Sequence, residues 1–151
     1  MAGSQDFDDD PRNKSVLIYL NGALVPREEA KVSVFDAGFV VGDGVWEGLR
    51  LHKGALLFLD AHMERLYAGA AQIDLDIGMP RQQLAAEIRR TLEANDFTDG
   101  VHIRVMVTRV PKTGANQDPR NALGTPTIVI LAERKEPTAA LAQRGLSLAT
   151  A

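Results

Sequence analysis

Cysteine is absent from the 151 residues, which excludes disulfides, thiolate zinc sites and a cysteine nucleophile. Aromatic residues make up only 5% of the chain, with a single tryptophan, and no Lys/Arg run is interleaved with them as nucleic-acid binding would ask. Neither sign of charge dominates: 17 Lys and Arg stand against 20 Asp and Glu, a formal net charge of -3, which argues against a general polyanion binder. Arg81, Arg89 and Arg90 form a local cluster able to meet an anion. No apolar run approaches the roughly 20 residues that span a bilayer. The N-terminal stretch is polar and acidic (Asp6, Asp8, Asp9, Asp10) and lacks the basic and apolar regions of a signal peptide. These absences point to a cytoplasmic protein with no membrane, nucleic-acid or metal partner.

What is present suits a globular domain: 45% of residues are hydrophobic and 25% charged. Residues 1–14 read as a disordered acidic tail. Val16 to Leu20 is a short apolar strand, Asn21-Gly22 a type I′ hairpin signal, and Ala23 to Val25 the return strand closed by Pro26. Lys31 to Phe35 alternates as a half-buried strand does. Asp36 to Gly44, with three glycines, reads as a loop whose backbone can take positive φ or approach something closely. Val45 to His52 predicts a strand with Val45, Glu47, Leu49 and Leu51 on one face and Trp46, Gly48, Arg50 and His52 on the other.

Lys53-Gly54 turns the chain into Ala55 to Leu59. Asp60 then predicts an N-cap for a helix from Ala61 to about Gln72. A second helix follows Pro80, which suits a first helical position, and runs to about Asn95 with Leu84, Ile88, Thr91 and Leu92 inward. Val101 to Arg109 is the most strand-like segment, and Thr127 to Ala132 reads as a central apolar strand. Pro111 to Gly124 between them is a polar loop. Residues 135–151 read as a linker and the start of a further domain, ending within an alternating segment at Gly145 to Thr150. Hairpins with two helices between them predict an α+β fold over residues 15–134, a mostly antiparallel sheet with two main helices.

Three groups of residues stand out, each with an ordinary alternative. Arg65, one turn into the first helix beside His62 and Glu64, is by itself a solvated charge. Arg104 sits mid-strand between His102 and Met106, a costly place for a cation unless that face is wet or paired. Arg50 shares a face with Trp46 and reads equally well as a sheet-face ion pair.

Taken together, Tyr19-Leu20-Asn21-Gly22, Lys31 to Asp36, Gly42 to Arg50, His62-Met63-Glu64-Arg65-Leu66 and Val107-Thr108-Arg109 closely resemble the N-terminal lobe of the class IV (fold type IV) aminotransferases. That family groups branched-chain and D-amino-acid aminotransferases, (R)-selective amine transaminases and aminodeoxychorismate lyase. The resemblance implies the small N-terminal domain of a pyridoxal 5′-phosphate enzyme, working as a homodimer on amino acids and 2-oxo acids. It implies that Arg65 grips the cofactor phosphate, for which a planar, always-charged guanidinium is suited.

Trp46 falls where relatives carry Tyr or Phe in the substrate pocket. Arg50, His102 and Arg104 match positions of the branched-chain subgroup that face substrate. Gly114 and Asn116 stand where the D-amino-acid enzymes place a carboxylate-binding Arg and His. This departure favours a branched-chain-like substrate.

Catalysis in such enzymes needs a Schiff-base lysine. The available lysines, Lys14, Lys31, Lys53, Lys112 and Lys135, do not lie in the family's lysine context. The expectation is therefore no catalytic residue in this chain, and no transamination by it alone. An aminodeoxychorismate lyase-like activity and a non-catalytic interaction domain are the alternatives.

Overall fold

The computed structural model describes residues 10–121 and 124–136. The elements are β1 (Leu17–Leu20), β2 (Ala23–Pro26), α1 (Ala37–Val41), β3 (Gly44–His52), β4 (Ala55–Leu56), α2 (Leu59–Gln72), α3 (Arg81–Ala94), β5 (Val101–Thr108) and β6 (Thr127–Arg134). All six strands join one antiparallel sheet in the order β2-β1-β6-β5-β3-β4, which is the α+β architecture the hairpin pattern predicts. β6 lies in the sheet interior, between β1 and β5.

The 2.0 period of the strands and the 3.6 period of the helices meet on one face of this sheet. Val101, Ile103, Val105 and Val107 of β5 are completely buried, as are Ile130 and Ala132 of β6. Met63, Leu66 and Ala70 of α2, with Leu84, Ile88, Thr91 and Leu92 of α3, close over them. Ile73 follows α2 as an exposed C-cap. The β1–β2 turn has Asn21 at φ 49 and Gly22 at φ 95, both positive as a type I′ hairpin demands. Among the described residues no helix is long and apolar enough to cross a membrane.

Four local expectations are corrected. Lys31 to Phe35 is no strand: all five residues are exposed, and the segment turns instead, with Asp36 N donating to Ser33 O at 3.0 Å. Its alternation is not met by any strand of the sheet, and besides the turn at Ser33 its backbone is tied by Phe35 O, which accepts from Lys112 N at 2.8 Å. The glycine-rich stretch contains a short helix, α1, because Asp36 caps it by accepting from Gly38 N at 2.9 Å and Gly42 ends it at φ 71.

α2 begins at Leu59 rather than Ala61, since burying Leu59 draws the chain into the helix early. Asp60 is then a first-turn acid, and Phe58, at φ 52, occupies the cap position. Pro80 caps α3 from an extended conformation (ψ 149) rather than opening it.

The described part of the expected N-terminal tail is tied down. Pro11–Ser15 forms a single 3-10 turn, capped by Asp10. Asn13 pins that turn to β6, donating to Arg134 O at 2.9 Å and accepting from Arg134 N at 2.8 Å. The alternating segment expected at 145–150 lies outside the described residues.

Candidate active-site face

The face of the sheet away from the helices carries the charged and aromatic positions. The β3–β5 register sets Trp46 opposite Met106, Gly48 opposite Arg104 and Arg50 opposite His102, and directly paired residues share a face. Gly48 offers Arg104 no side chain to meet. The guanidinium leans along the diagonal instead and lies over the Trp46 ring, 4.4 Å from its centroid, a cation–π contact. A Cβ at Gly48 would come within 3.3 Å of His102 Nε2, so the glycine lets the imidazole approach.

Arg50 Nη1 donates to the carbonyl of Lys135. Burial pushes the His102 imidazole below its ordinary pKa, and the nearby Lys135, Arg104 and Arg50 charges push the same way. Trp46, Arg50, His102 and Arg104 therefore form one patch: an indole that is 60% exposed and three cations or potential cations around a glycine floor.

Arg65 lies elsewhere. It projects from α2, the helix that packs on the opposite face of β3, where Glu47 alternates with Leu49 and Leu51. Glu47 is buried and accepts from Arg65 Nε at 2.5 Å, from Arg65 Nη2 at 2.6 Å, and bonds His62 Nδ1 at 2.8 Å. Arg65 holds the Glu47 carboxyl below its usual range, with His62 adding to the effect against the opposing cost of burial. The sequence reading missed Glu47. The signal was there: a carboxylate in register with Val45, Leu49 and Leu51 on a core face requires partners.

Beside the patch, a cleft of about 540 Å³ runs along the same outer face. Ile18, Leu20, Val129 and Leu131 form its wall, and Trp46 and Met106 join it to the charged patch. Its polar end is Asp36, buried, which accepts from Gly38 N at 2.9 Å and from Thr127 Oγ1 at 2.7 Å. The Thr108 hydroxyl beside them is buried and unbonded.

Arg109 acts as an anchor. It pairs with Asp43 at 2.7 Å and donates to the carbonyls of Ile73 and Asp74 at the end of α2. Asn116 N donates to Gly114 O at 2.8 Å, so these two positions bond each other and present no cation. Arg90 is taken up by Glu87 and Gly22 O, and Arg81 lies over Tyr67.

Residues 44–151 match the family described as amino-transferase class IV. The chain belongs to the class IV aminotransferases. Within that family it is 42% identical to a putative branched-chain-amino-acid aminotransferase of Methanocaldococcus jannaschii, over 76% of this chain and 39% of that protein. It is 40% identical to branched-chain-amino-acid aminotransferase-like protein 1 of Arabidopsis thaliana, over 84% of this chain and 23% of that protein. D-alanine aminotransferases match as well, at 33 to 38% identity.

Among solved structures, the branched-chain aminotransferase of the thermophilic archaeon Thermoproteus uzoniensis, determined with norvaline, superposes with a TM-score of 0.70. It is 32% identical, with 79% of this chain and 40% of that chain covered. The chain thus spans well under half the length of the relatives it matches, and its fold is that of the N-terminal domain of fold type IV aminotransferases.

Proposed function

We propose that the protein is the N-terminal part of a pyridoxal 5′-phosphate-dependent aminotransferase that moves an amino group between a branched-chain or similar amino acid and a 2-oxo acid. The observation that carries this reading is the composition of the outer face. An apolar cleft ending at Trp46 and Met106 adjoins a cluster of Arg50, His102 and Arg104. A branched aliphatic side chain suits the first part, because its burial against indole and thioether removes apolar area from water. The distal carboxylate of a dicarboxylic 2-oxo acid such as 2-oxoglutarate suits the second, where Arg104 and His102 offer N–H donors.

Arg65 fits the cofactor phosphate on its chemistry. Its side chain is 71% exposed, permanently charged, and held by a buried carboxylate. Pyridoxal phosphate, when bound, supplies the electron sink that amino transfer needs. The residues of this chain hold its phosphate and sort the substrates. Trp46 acts as a wall, Arg104 and His102 as donors to a carboxylate, and Arg50 as a second charge tied to the backbone at Lys135.

In this reading the working unit is a homodimer, consistent with the exposed apolar side chains of Val34, Phe35 and Phe39, and the chain by itself does not transaminate. Two measurements test it. The coding sequence carried through downstream of Ala151 is expected to convert leucine and 2-oxoglutarate to glutamate; release of pyruvate from aminodeoxychorismate instead would replace the reaction. The 151-residue chain, treated with pyridoxal phosphate and borohydride, is expected to retain no cofactor on any single one of its lysines.

A further inference from the structure

Glu47 and Arg65 form an asymmetric ion pair. The Glu47 side chain is 5% exposed and that of Arg65 71%. Taking a carboxylate out of water costs free energy unless it is paired and hydrogen-bonded, and here three contacts meet it: Arg65 Nε and Nη2, and His62 Nδ1. His62 and Arg65 stand three residues apart on α2, so one helix face delivers both to the strand. Glu47 engages the Nε–Nη2 edge of the guanidinium in the fork geometry that fixes its plane. His62, on Oε2, restrains the carboxylate in turn. An arginine on a solvent-facing helix surface normally samples many rotamers; this one is held by a group in the core.

We propose that Glu47 is a positioning residue for anion binding: it fixes the Arg65 guanidinium so that the edge bearing Nη1 meets a phosphate, with His62 bracing the carboxylate. The proposal rests on the reading of Arg65 as the phosphate contact. Positioning and plain electrostatics predict opposite signs for one substitution. If Glu47 acts only as a charge, Glu47→Gln removes a competing negative group and phosphate binds more tightly. If it positions, glutamine offers one acceptor where two were used, the guanidinium rotates freely, and binding weakens.

The experiment titrates the 151-residue chain with inorganic phosphate and with pyridoxamine 5′-phosphate, following the Arg65 Nε–H signal by NMR. The unsubstituted chain is expected to bind both with a restrained, downfield Nε–H. Glu47→Gln is expected to bind about tenfold more weakly, the loss of one charge-assisted hydrogen bond, with an averaged Nε–H signal. Unchanged or tighter binding by Glu47→Gln overturns the proposal. Should that variant not fold, Glu47→Asp decides. It keeps the charge and shortens the arm, so weaker binding supports positioning and unchanged binding overturns it. Arg65→Met is expected to abolish binding. If it binds like the unsubstituted chain, the assignment of Arg65 itself fails, and that failure is recognisable apart from any effect at Glu47.

Discussion

Arg104 lies over the indole of Trp46 rather than reaching its register neighbour, because that neighbour is Gly48 and has no side chain to offer. Trp46 is the only tryptophan, so its emission reports on this one contact. A dicarboxylate that draws Arg104 away from the ring is expected to change that emission, whereas a monocarboxylate is expected to change it less. In Arg104→Gln the response to 2-oxoglutarate is expected to vanish, with a stability cost of only about 0.5–1 kcal/mol for an exposed cation–π pair. An unaltered titration curve in Arg104→Gln would remove Arg104 from the carboxylate site.

Glu47 ties stability to acid. Its folded carboxyl is held below the ordinary 4.5, so the folded state binds fewer protons than the unfolded one on the acid side. The stabilising contribution is complete above about 4.5 and is lost as the pH falls through the depressed folded value. Urea midpoints measured from pH 6 down to pH 3 are expected to fall more steeply for the unsubstituted chain than for Glu47→Gln. Parallel slopes would mean that the carboxyl titrates in the folded protein as it does unfolded.

His102 moves stability in the same direction for a different reason. Its imidazole is depressed below 6.5 by burial and by the Lys135, Arg104 and Arg50 charges. Above pH 6.5 both folded and unfolded chains carry it neutral and it contributes nothing to pH dependence. As the pH falls from 6.5 toward the folded value, the unfolded chain takes up a proton that the folded chain refuses, and stability declines. His102→Gln is expected to flatten the stability profile between pH 7 and pH 5, and NMR titration of His102 should give a midpoint below the ordinary 6.5.

Thr108 and Thr127 are direct partners across β5 and β6, yet their hydroxyls differ. Thr127 Oγ1 donates to the buried Asp36 carboxylate at 2.7 Å, while Thr108 Oγ1 is buried without a partner. The same isosteric change should therefore have opposite outcomes. Thr127→Val leaves Asp36 a donor short and is expected to cost about 1–3 kcal/mol. Thr108→Val removes an unanswered hydroxyl and is expected to be neutral or stabilising by up to about 1 kcal/mol. Equal losses in urea unfolding would contradict the hydrogen-bond assignment.

What the sequence discloses follows the range of the interaction involved. Strand faces, the Asn21-Gly22 hairpin and the inner stripe of α3 depend on spacing and local propensity, and they read directly from the residues. Trp46, Arg50, His102 and Arg104 read as one face because alternation places 46 with 50 and 102 with 104, and the β3–β5 register then joins the two pairs. Lys31 to Phe35 misleads because alternation says nothing about whether a partner strand lies alongside. The partners of Glu47 were hidden for a related reason: its donors come from α2, fifteen and eighteen residues away in sequence. The diagonal stack of Arg104 on Trp46 depends on register and on an absent side chain together. No periodicity encodes that.

Phe58 shows the same limit at a helix start, and it can be corrected by substitution. It takes φ 52 at the cap of α2 with no side-chain hydrogen bond, and it is 78% exposed. A bulky residue in the left-handed region costs about 1–2 kcal/mol, and so little of this ring is buried that removing it forfeits little. Asparagine tolerates that conformation far better. Phe58→Asn is therefore expected to raise stability by about 0.5–1 kcal/mol relative to Phe58→Ala, which keeps the strained backbone and also loses the ring. Thermal unfolding of the two variants beside the unsubstituted chain makes the comparison. If alanine and asparagine prove equally destabilising, Phe58 is held by side-chain contact and not by the geometry of the turn, and its exposure would have to be covered in the folded chain.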